Sequence, residues 1–497
     1  MTKAKRYHPL TLLLDLWKLI RNSIVFALFL FVIKAGSDSH FITFGRIIFL
    51  LVIGISLISI LLKWFTHKYE LDDRSFHLYK GIINKSEQTI PFSKVQNVNR
   101  HTSLFHQIFK MTSIHFETGM AGEEATVEFK VIPPTEADRM EALIANANRE
   151  ERTDIQAGHD IKPAPSKAGA TNRIIHFEPT KKDILKASFT SLSFLVLIPL
   201  MGSVYFKINE VFHIEEKAVG MFRSILSSWW MVTIIILILG MASTAFGIAR
   251  TYIKYGKYQI STDPERIYIT KGVVDETAFS ISKDRVQAVE ITQSLLKRWL
   301  GLAEVKLTSA GSSGENSLEI NSLYPFLPVR RAYELVSEIL PAYKVTQKMM
   351  HLPTKSLGLR LLRPSWIWII ATAVLFYFKP ALLKVEQAWW ILSAALLILV
   401  AAARLLDFFN TRYILNDHFI QFKTGSLATS LFVSKRDKVI EVHVTRSLFQ
   451  KRLGLASIET INRAKPVHHA GVTDVPLEFA ESFYTWYMRR RNEIKVE

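Results

Sequence analysis

Apolar and polar positions are patterned on two scales along the 497 residues. On the long scale, six apolar stretches with almost no charge occur in close pairs: Ile24 to Ile33 with its flanks, Ile47 to Leu62, Phe189 to Phe206, Trp229 to Ile248, Trp366 to Phe378 with its flanks, and Trp389 to Leu406. A helix needs roughly 20 mostly apolar residues to cross the hydrocarbon of a bilayer, so the pattern predicts six spans in three hairpins. The first and fifth runs reach that length only with their flanking residues. On the short scale, the stretch after each pair is strand-like. Phe76-His77-Leu78-Tyr79, Ile267-Tyr268-Ile269 and Phe419-Ile420-Gln421-Phe422 are aromatic and β-branched, and each leads to a glycine, Gly81, Gly272 or Gly425, that permits the positive φ of a hairpin turn. Further strands fit Ile82 to Pro91, Val127 to Ile132, Val305 to Thr308 and Ile458 to Ile461. Each stretch closes in a helical pattern, at Pro134 to Ala147, Pro328 to Leu340 and Leu477 to Arg490. An antiparallel sheet covered by one helix satisfies such a pattern, because the helix buries the open apolar face.

These stretches are copies of one block. In the second, Arg285-Val286-Gln287-Ala288-Val289 is followed by Ser294-Leu295-Leu296-Lys297-Arg298-Trp299-Leu300-Gly301-Leu302-Ala303. In the third, Lys438-Val439-Ile440-Glu441-Val442 precedes Ser447-Leu448-Phe449-Gln450-Lys451-Arg452-Leu453-Gly454-Leu455-Ala456 at the same offsets. The first copy keeps Lys94-Val95-Gln96-Asn97-Val98 and Ser103-Leu104-Phe105, but Lys110 replaces the late glycine. A repeat this long is a whole domain repeated three times. Gly301 and Gly454 mark a predicted turn or close backbone approach.

Lys and Arg near the span ends set the predicted orientation. Lys3, Lys5, Arg6, Lys18 and Arg21 precede the first span and Lys63, Lys68 and Arg74 follow the second, whereas the hairpin Ala35 to Phe41 has none. Lys181, Lys182, Lys186, Arg250, Lys254 and Lys257 flank the second pair, and Lys355, Arg360, Arg363, Arg404 and Arg412 the third. The two later hairpins carry Lys207, Lys217, Arg223, Lys379 and Lys384, offset by Glu210, Glu215, Glu216 and Glu386. Both termini and all three repeated domains are therefore expected in the cytoplasm. Lys34-Ala35-Gly36-Ser37 is a poor cleavage site, which makes the N-terminal run an uncleaved span.

Composition narrows the function. The chain has no cysteine, so disulfides are excluded. Its net charge of +18 is spread over span ends and domain faces with no nucleic-acid motif beside it, which points to topology and anionic lipid rather than nucleic acid. Ala310-Gly311-Ser312-Ser313-Gly314 lacks nucleophile-elbow spacing. His468 and His469 are adjacent, and no phosphate loop or zinc motif occurs. His8, His176 and His351 each stand alone near a proline before a basic stretch (Leu12 to Arg21, Lys181 to Lys186, Leu357 to Arg363) that suits the headgroup layer. No catalytic residue, cofactor or metal is expected, and the near-absence of mid-span charge disfavours an ion path. What remains is a surface. Lys297, Arg298 and Trp299, with Lys451 and Arg452, interleave with leucine and phenylalanine, as a membrane or partner contact would; packing of the same apolar side into the domain's own core is the competing account.

The hairpin followed by [KR]-Val-x-x-Val and Ser-Leu-x-x-[KR]-x-Leu-Gly-Leu-Ala resembles the bacterial PH-like membrane proteins of the YdbS/YdbT type. Length, six spans and three copies are similar to its large YdbT-type members. The resemblance implies an α+β membrane protein in which each hairpin is followed by a PH-like β-roll with a C-terminal helix. It also implies a bacterial plasma-membrane location, a small sister subunit with one hairpin and one such domain, and a part in envelope stress or tolerance of membrane-active antimicrobials. The expected divisions are residues 1–68 (N-terminal segment and first hairpin), 69–148 (divergent first PH-like domain), 149–187 (linker and interfacial segment), 188–250 (second hairpin), 251–342 (second domain), 343–363 (interfacial segment), 364–408 (third hairpin) and 409–497 (third domain). The function these features favour is a non-catalytic assembly platform; the alternative is a transporter or lipid-handling protein with a path between the hairpins.

Overall fold

The computed structural model describes residues 4–34, 36, 39–81, 85–118, 126–156, 173–190, 229–309, 322–379, 388–464 and 467–492. Most of the third apolar run, beyond Thr190, and the Ala310 to Gly314 stretch lie outside these residues. The chain forms two compact units: Met1–Asn172 with Tyr268–Ser282, and Arg173–Ile267 with Lys283–Glu497. A piece of the second copy thus folds with the first.

In the first unit, strands Lys5–Arg6, Lys68–Leu71, Ser75–Lys80 and Ser86–Pro91 form one antiparallel sheet. Val95–Thr102, Thr112–Thr118 and Thr126–Ile132 form a second. Phe76, Ile90, Phe92, Phe116 and Phe129 fill the space between them, and the helix Pro134–Gln156 closes it with Ala137, Met140 and Ile144. The third copy, in the second unit, repeats the plan. Met350–His351, Arg412–Leu415, Phe419–Thr424 and Thr429–Lys435 make one sheet and Val439–Thr445, Leu455–Asn462 and His468–Pro476 the other. Phe422, Ile458, Val472, Phe479, Phe483 and Trp486 form the core under the helix Leu477–Met488. The turn glycines are required where they stand: Gly425 has φ 117, and a Cβ on it would lie 2.1 Å from the Ala428 carbonyl oxygen. In the same way Gly272, φ 96, faces the Asp275 carbonyl oxygen at 2.1 Å.

Two features depart from the expected layout. First, the interval 149–187 is less of a linker than its composition suggests: the helix runs on to Gln156, and Ile174–Phe177 is a strand paired with Gln259–Thr262. The residues around His8, His176 and His351 likewise follow or form short strands that extend the sheets, because their β-branched and basic neighbours complete an edge. His176 bonds Glu338 at 3.2 Å and Thr262 at 2.9 Å, within the protein rather than at headgroups. Second, the sheets of successive copies are joined. Val95–Thr102 pairs antiparallel with Glu276–Ser282, and Val286–Gln293 pairs antiparallel with Thr429–Lys435.

Four helical stretches among the described residues are long and apolar enough to cross a membrane: Leu10–Ile33, His40–Thr66, Thr354–Phe378 and Trp389–Asn410. The first run is thus longer than its hydropathy alone suggests, its basic lead-in being continuous helix from Leu10. Thr354–Phe378 is two helices, Thr354–Leu362 and Trp366–Phe378, interrupted at Pro364, whose ring disfavours helical geometry at Arg363. The fourth apolar run forms the helix Trp229–Tyr255.

Candidate membrane-contact face

In every copy a serine starts a single short helix after the bulged strand: Leu104–Ile108, Leu295–Trp299 and Leu448–Leu453. We call these the tips. Ser294 and Ser447 cap them through their hydroxyls, and Gln450 completes a capping box in the third, satisfying amides that a helix start leaves unpaired. Each tip ends in a left-handed residue: Lys110 (φ 52), Gly301 (φ 65) and Gly454 (φ 69). The first copy therefore keeps the turn although it lost the glycine.

Phe105 and Leu296 are half-buried, but the other large apolar residues of the tips face outward. Exposure is 57 % at Leu104, 74 % at Ile108, 56 % at Leu295, 85 % at Trp299, 79 % at Leu448 and 67 % at Phe449. Each of the three equivalent sites by itself presents large exposed apolar side chains, a patch of the kind that marks a membrane or protein contact. The third tip packs beside the helix Thr354–Leu362, which leads into the last hairpin and itself exposes Leu362. It therefore stands at the end of its domain beside the candidate span that follows Thr354–Leu362.

The cations divide in a way that sequence did not show. Lys297 aligns with Gln450, not with Lys451, and faces inward: its ammonium bonds Glu304 at 2.8 Å and lies 5.3 Å from the centre of the Phe326 ring. Arg298 donates to the carbonyls of Ser426 and Leu427 and to Asn410, clamping the second tip to the third copy's turn. Of the five expected contact residues Lys297 is half-buried, Arg298 is exposed but bonded to the third copy's turn, and Trp299, Lys451 and Arg452 are exposed.

The residue three places after the serine is the one whose role sequence reading missed. His106, Lys297 and Gln450 each hold their tip to the domain. His106 bonds Ser103 Oγ at 2.7 Å and the Lys130 carbonyl at 2.8 Å; burial keeps its imidazole below the usual range. Gln450 donates to Asp474 at 2.7 Å and Ser457 at 2.8 Å. A polar residue three places after the serine in all three copies was the available signal. The same last strand also fastens the helix entering the membrane. Lys130 pairs with Asp15 at 2.8 Å, while the fully buried Asp474 meets Arg363 at 2.6 Å and Arg360 at 3.4 Å, with Arg360 also held by Asp407.

This geometry coincides with the comparisons to known proteins. The bacterial PH domain profile matches three times, over residues 24–148, 193–342 and 369–491, each match taking in an apolar pair and the domain after it. The chain belongs to the bacterial PH domain family. It is 23 % identical over 506 residues, 98 % of each chain, to the UPF0699 transmembrane protein YdbT of Bacillus subtilis (strain 168). No solved structure matches it. Family membership and a transmembrane relative of the same length establish a membrane protein with three bacterial PH domains. Among the described residues no group of three His, Asp or Glu comes together as a metal site would require.

Proposed function

We propose that this is a non-catalytic, six-span protein of the bacterial plasma membrane whose three domains lie on the cytoplasmic face, press their tips into the leaflet and form an assembly platform. In this reading a small sister subunit with one hairpin and one such domain completes the platform, which serves envelope stress or tolerance of membrane-active antimicrobials. The observation that carries it is the exposed apolar tip in all three copies. Burying a leucine, phenylalanine or tryptophan of this kind contributes about 1.5–3 kcal/mol each, and a cation near anionic lipid adds roughly 1 kcal/mol. Three tips on one chain already held by spans would fix the orientation of every domain against the bilayer.

The absence of cysteine makes the test clean. A single Phe449→Cys variant in nanodiscs, labelled with an environment-sensitive dye, should emit to the blue and be quenched by headgroup-depth nitroxide lipids. The same dye at exposed Glu481, on the covering helix, should not. In intact cells an impermeant maleimide should reach neither. Aqueous quenching of both positions alike would end the leaflet contact, and labelling of either from outside would end the cytoplasmic placement. Changing Lys451 and Arg452 to Gln should weaken the dye's blue shift in anionic nanodiscs only, with added salt giving the same loss.

A further inference from the structure

We infer that the outer edge of the strand Val439–Thr445 is a docking site for the third strand of a PH-like domain on a separate chain. This deepens the assembly reading above by naming its contact. The two joints inside the protein set the rule. In each, the first strand of a copy's second sheet pairs antiparallel with the last strand of the next copy's first sheet, Asn97 to Thr102 against Ile281 to Glu276 and Ala288 to Gln293 against Ser434 to Thr429. The strand that plays this part carries the same irregularity in all three copies, between Val95 and Asn97, Val286 and Ala288, and Val439 and Glu441.

Among the described residues the joint of the third copy is open. Val439–Thr445 lies at the edge of its sheet, and where Val286–Gln293 is largely buried this strand is largely exposed, Ile440 at 43 % and Val444 at 39 %. The Ile440 carbonyl is taken by the Tyr487 hydroxyl and by Arg490 at 3.2 Å, so the free edge begins at Glu441, the residue equivalent to the first paired one, Ala288. An exposed β-branched edge is a liability that proteins normally cover. The opposite end is built differently. Ser86–Pro91, the free first-sheet edge of copy one, has Gln88 and Thr89 where the joined strands have Phe279-Ser280 and Phe432-Val433, and it ends in proline. Charge, polarity and proline are how edges are closed. Among the described residues the edge of copy one is therefore closed and that of copy three is not. In the second joint Val433 faces Val289 and Leu431 faces Ile291. The occupant should accordingly carry two apolar residues at alternate positions, facing Val442 and Val444, and it is not a second copy's Gln88-bearing strand.

The test uses the full chain in native membranes. Benzophenone photocrosslinking from His443→p-benzoylphenylalanine, followed by mass spectrometry of the crosslinked peptides, should capture a different chain at the third strand of a PH-like domain. Val444→Lys should cut that product by about tenfold, a loss of roughly 1.4 kcal/mol, whereas Thr89→Lys on the closed edge should leave it unchanged. Resistance of the domain to protease, measured in parallel, shows that Val444→Lys still folds. Crosslinks to this chain itself, to a second copy or to lipid, or no product, would overturn the proposal. If the tips meanwhile remain in the leaflet and a partner co-purifies through another surface, the platform reading survives without this contact.

Discussion

The first and third copies perform the same fastening with opposite chemistry. In each, one residue on the last strand of the second sheet holds both the tip and the helix entering the membrane. Lys130 does so half in water, by an ion pair to Asp15 with side chains 35 % and 24 % exposed and by its carbonyl to His106. Asp474 does so in the interior, at zero exposure and with a left-handed backbone (φ 66), between Arg360, Arg363 and Gln450. The difference teaches that the fold needs a tie at this point and does not prescribe its charge. It also separates the copies energetically, because a buried charge that loses its partner is far more costly than an exposed one.

The largest effect should follow from that asymmetry. Asp474→Asn keeps the shape and tolerates φ 66, yet leaves the buried Arg360 with Asp407 as its remaining carboxylate beside neutral bonds to Thr411 and Thr473; unfolding of the third domain should become easier by about 3 kcal/mol, the low end for a broken buried pair. Asp15→Asn should cost under about 1 kcal/mol. Urea titration of the detergent-solubilised chain, read by a dye on a single cysteine in each domain, compares the two. Equal costs would mean that Asp474 is effectively solvated.

Much of this frame was legible in the sequence. Three copies, their strand blocks, the covering helices and the turn glycines all rest on local signals: alternation, apolar runs and Gly at fixed offsets. The pairing of Val95–Thr102 with Glu276–Ser282 was not, since it joins residues far apart in sequence and no local pattern records a strand's neighbour. Nor was the inward turn of Lys297, because a basic residue beside leucines reads the same whether it meets lipid or Glu304. Asp474 gave no signal at all: one acid in a final strand looks solvated until Arg360 is folded onto it.

A middle-sized effect tests how far the first copy has diverged. Lys110 holds the left-handed turn that Gly454 holds in the third copy, and nothing lies within 4 Å of a Cβ built on Gly454. The cost of a side chain there is backbone strain only, roughly 1 kcal/mol. Lys110→Gly should stabilise the first domain by up to that amount, and Gly454→Lys should destabilise the third by the same; Gly425→Ala, whose Cβ meets a carbonyl oxygen, should cost more than either. A helical φ at Lys110 or Gly454 in an experimental structure would remove the basis of all three.

The smallest expected effect is also the one that distinguishes the copies by pH. His106 titrates where Gln450 cannot. Burial is the main cause that lowers its pKa, with the Lys130 carbonyl opposing, so in the folded domain it takes up a proton less readily than in the unfolded chain. The stability it contributes is complete above the ordinary imidazole value, about 6.5, and is lost as pH falls below it, because the unfolded state then binds the extra proton. The first tip should therefore loosen between neutral and mildly acidic pH, seen as faster amide exchange in Leu104–Ile108, while the third tip holds. His106→Gln should abolish the response and Gln450→His should install it beside Asp474, where the nearby carboxylate favours the imidazolium and makes the transferred response weaker. A pH-independent first tip in the unaltered protein would show that His106 keeps its two hydrogen bonds in either protonation state, leaving the two fastenings different in charge but alike in their response to acid.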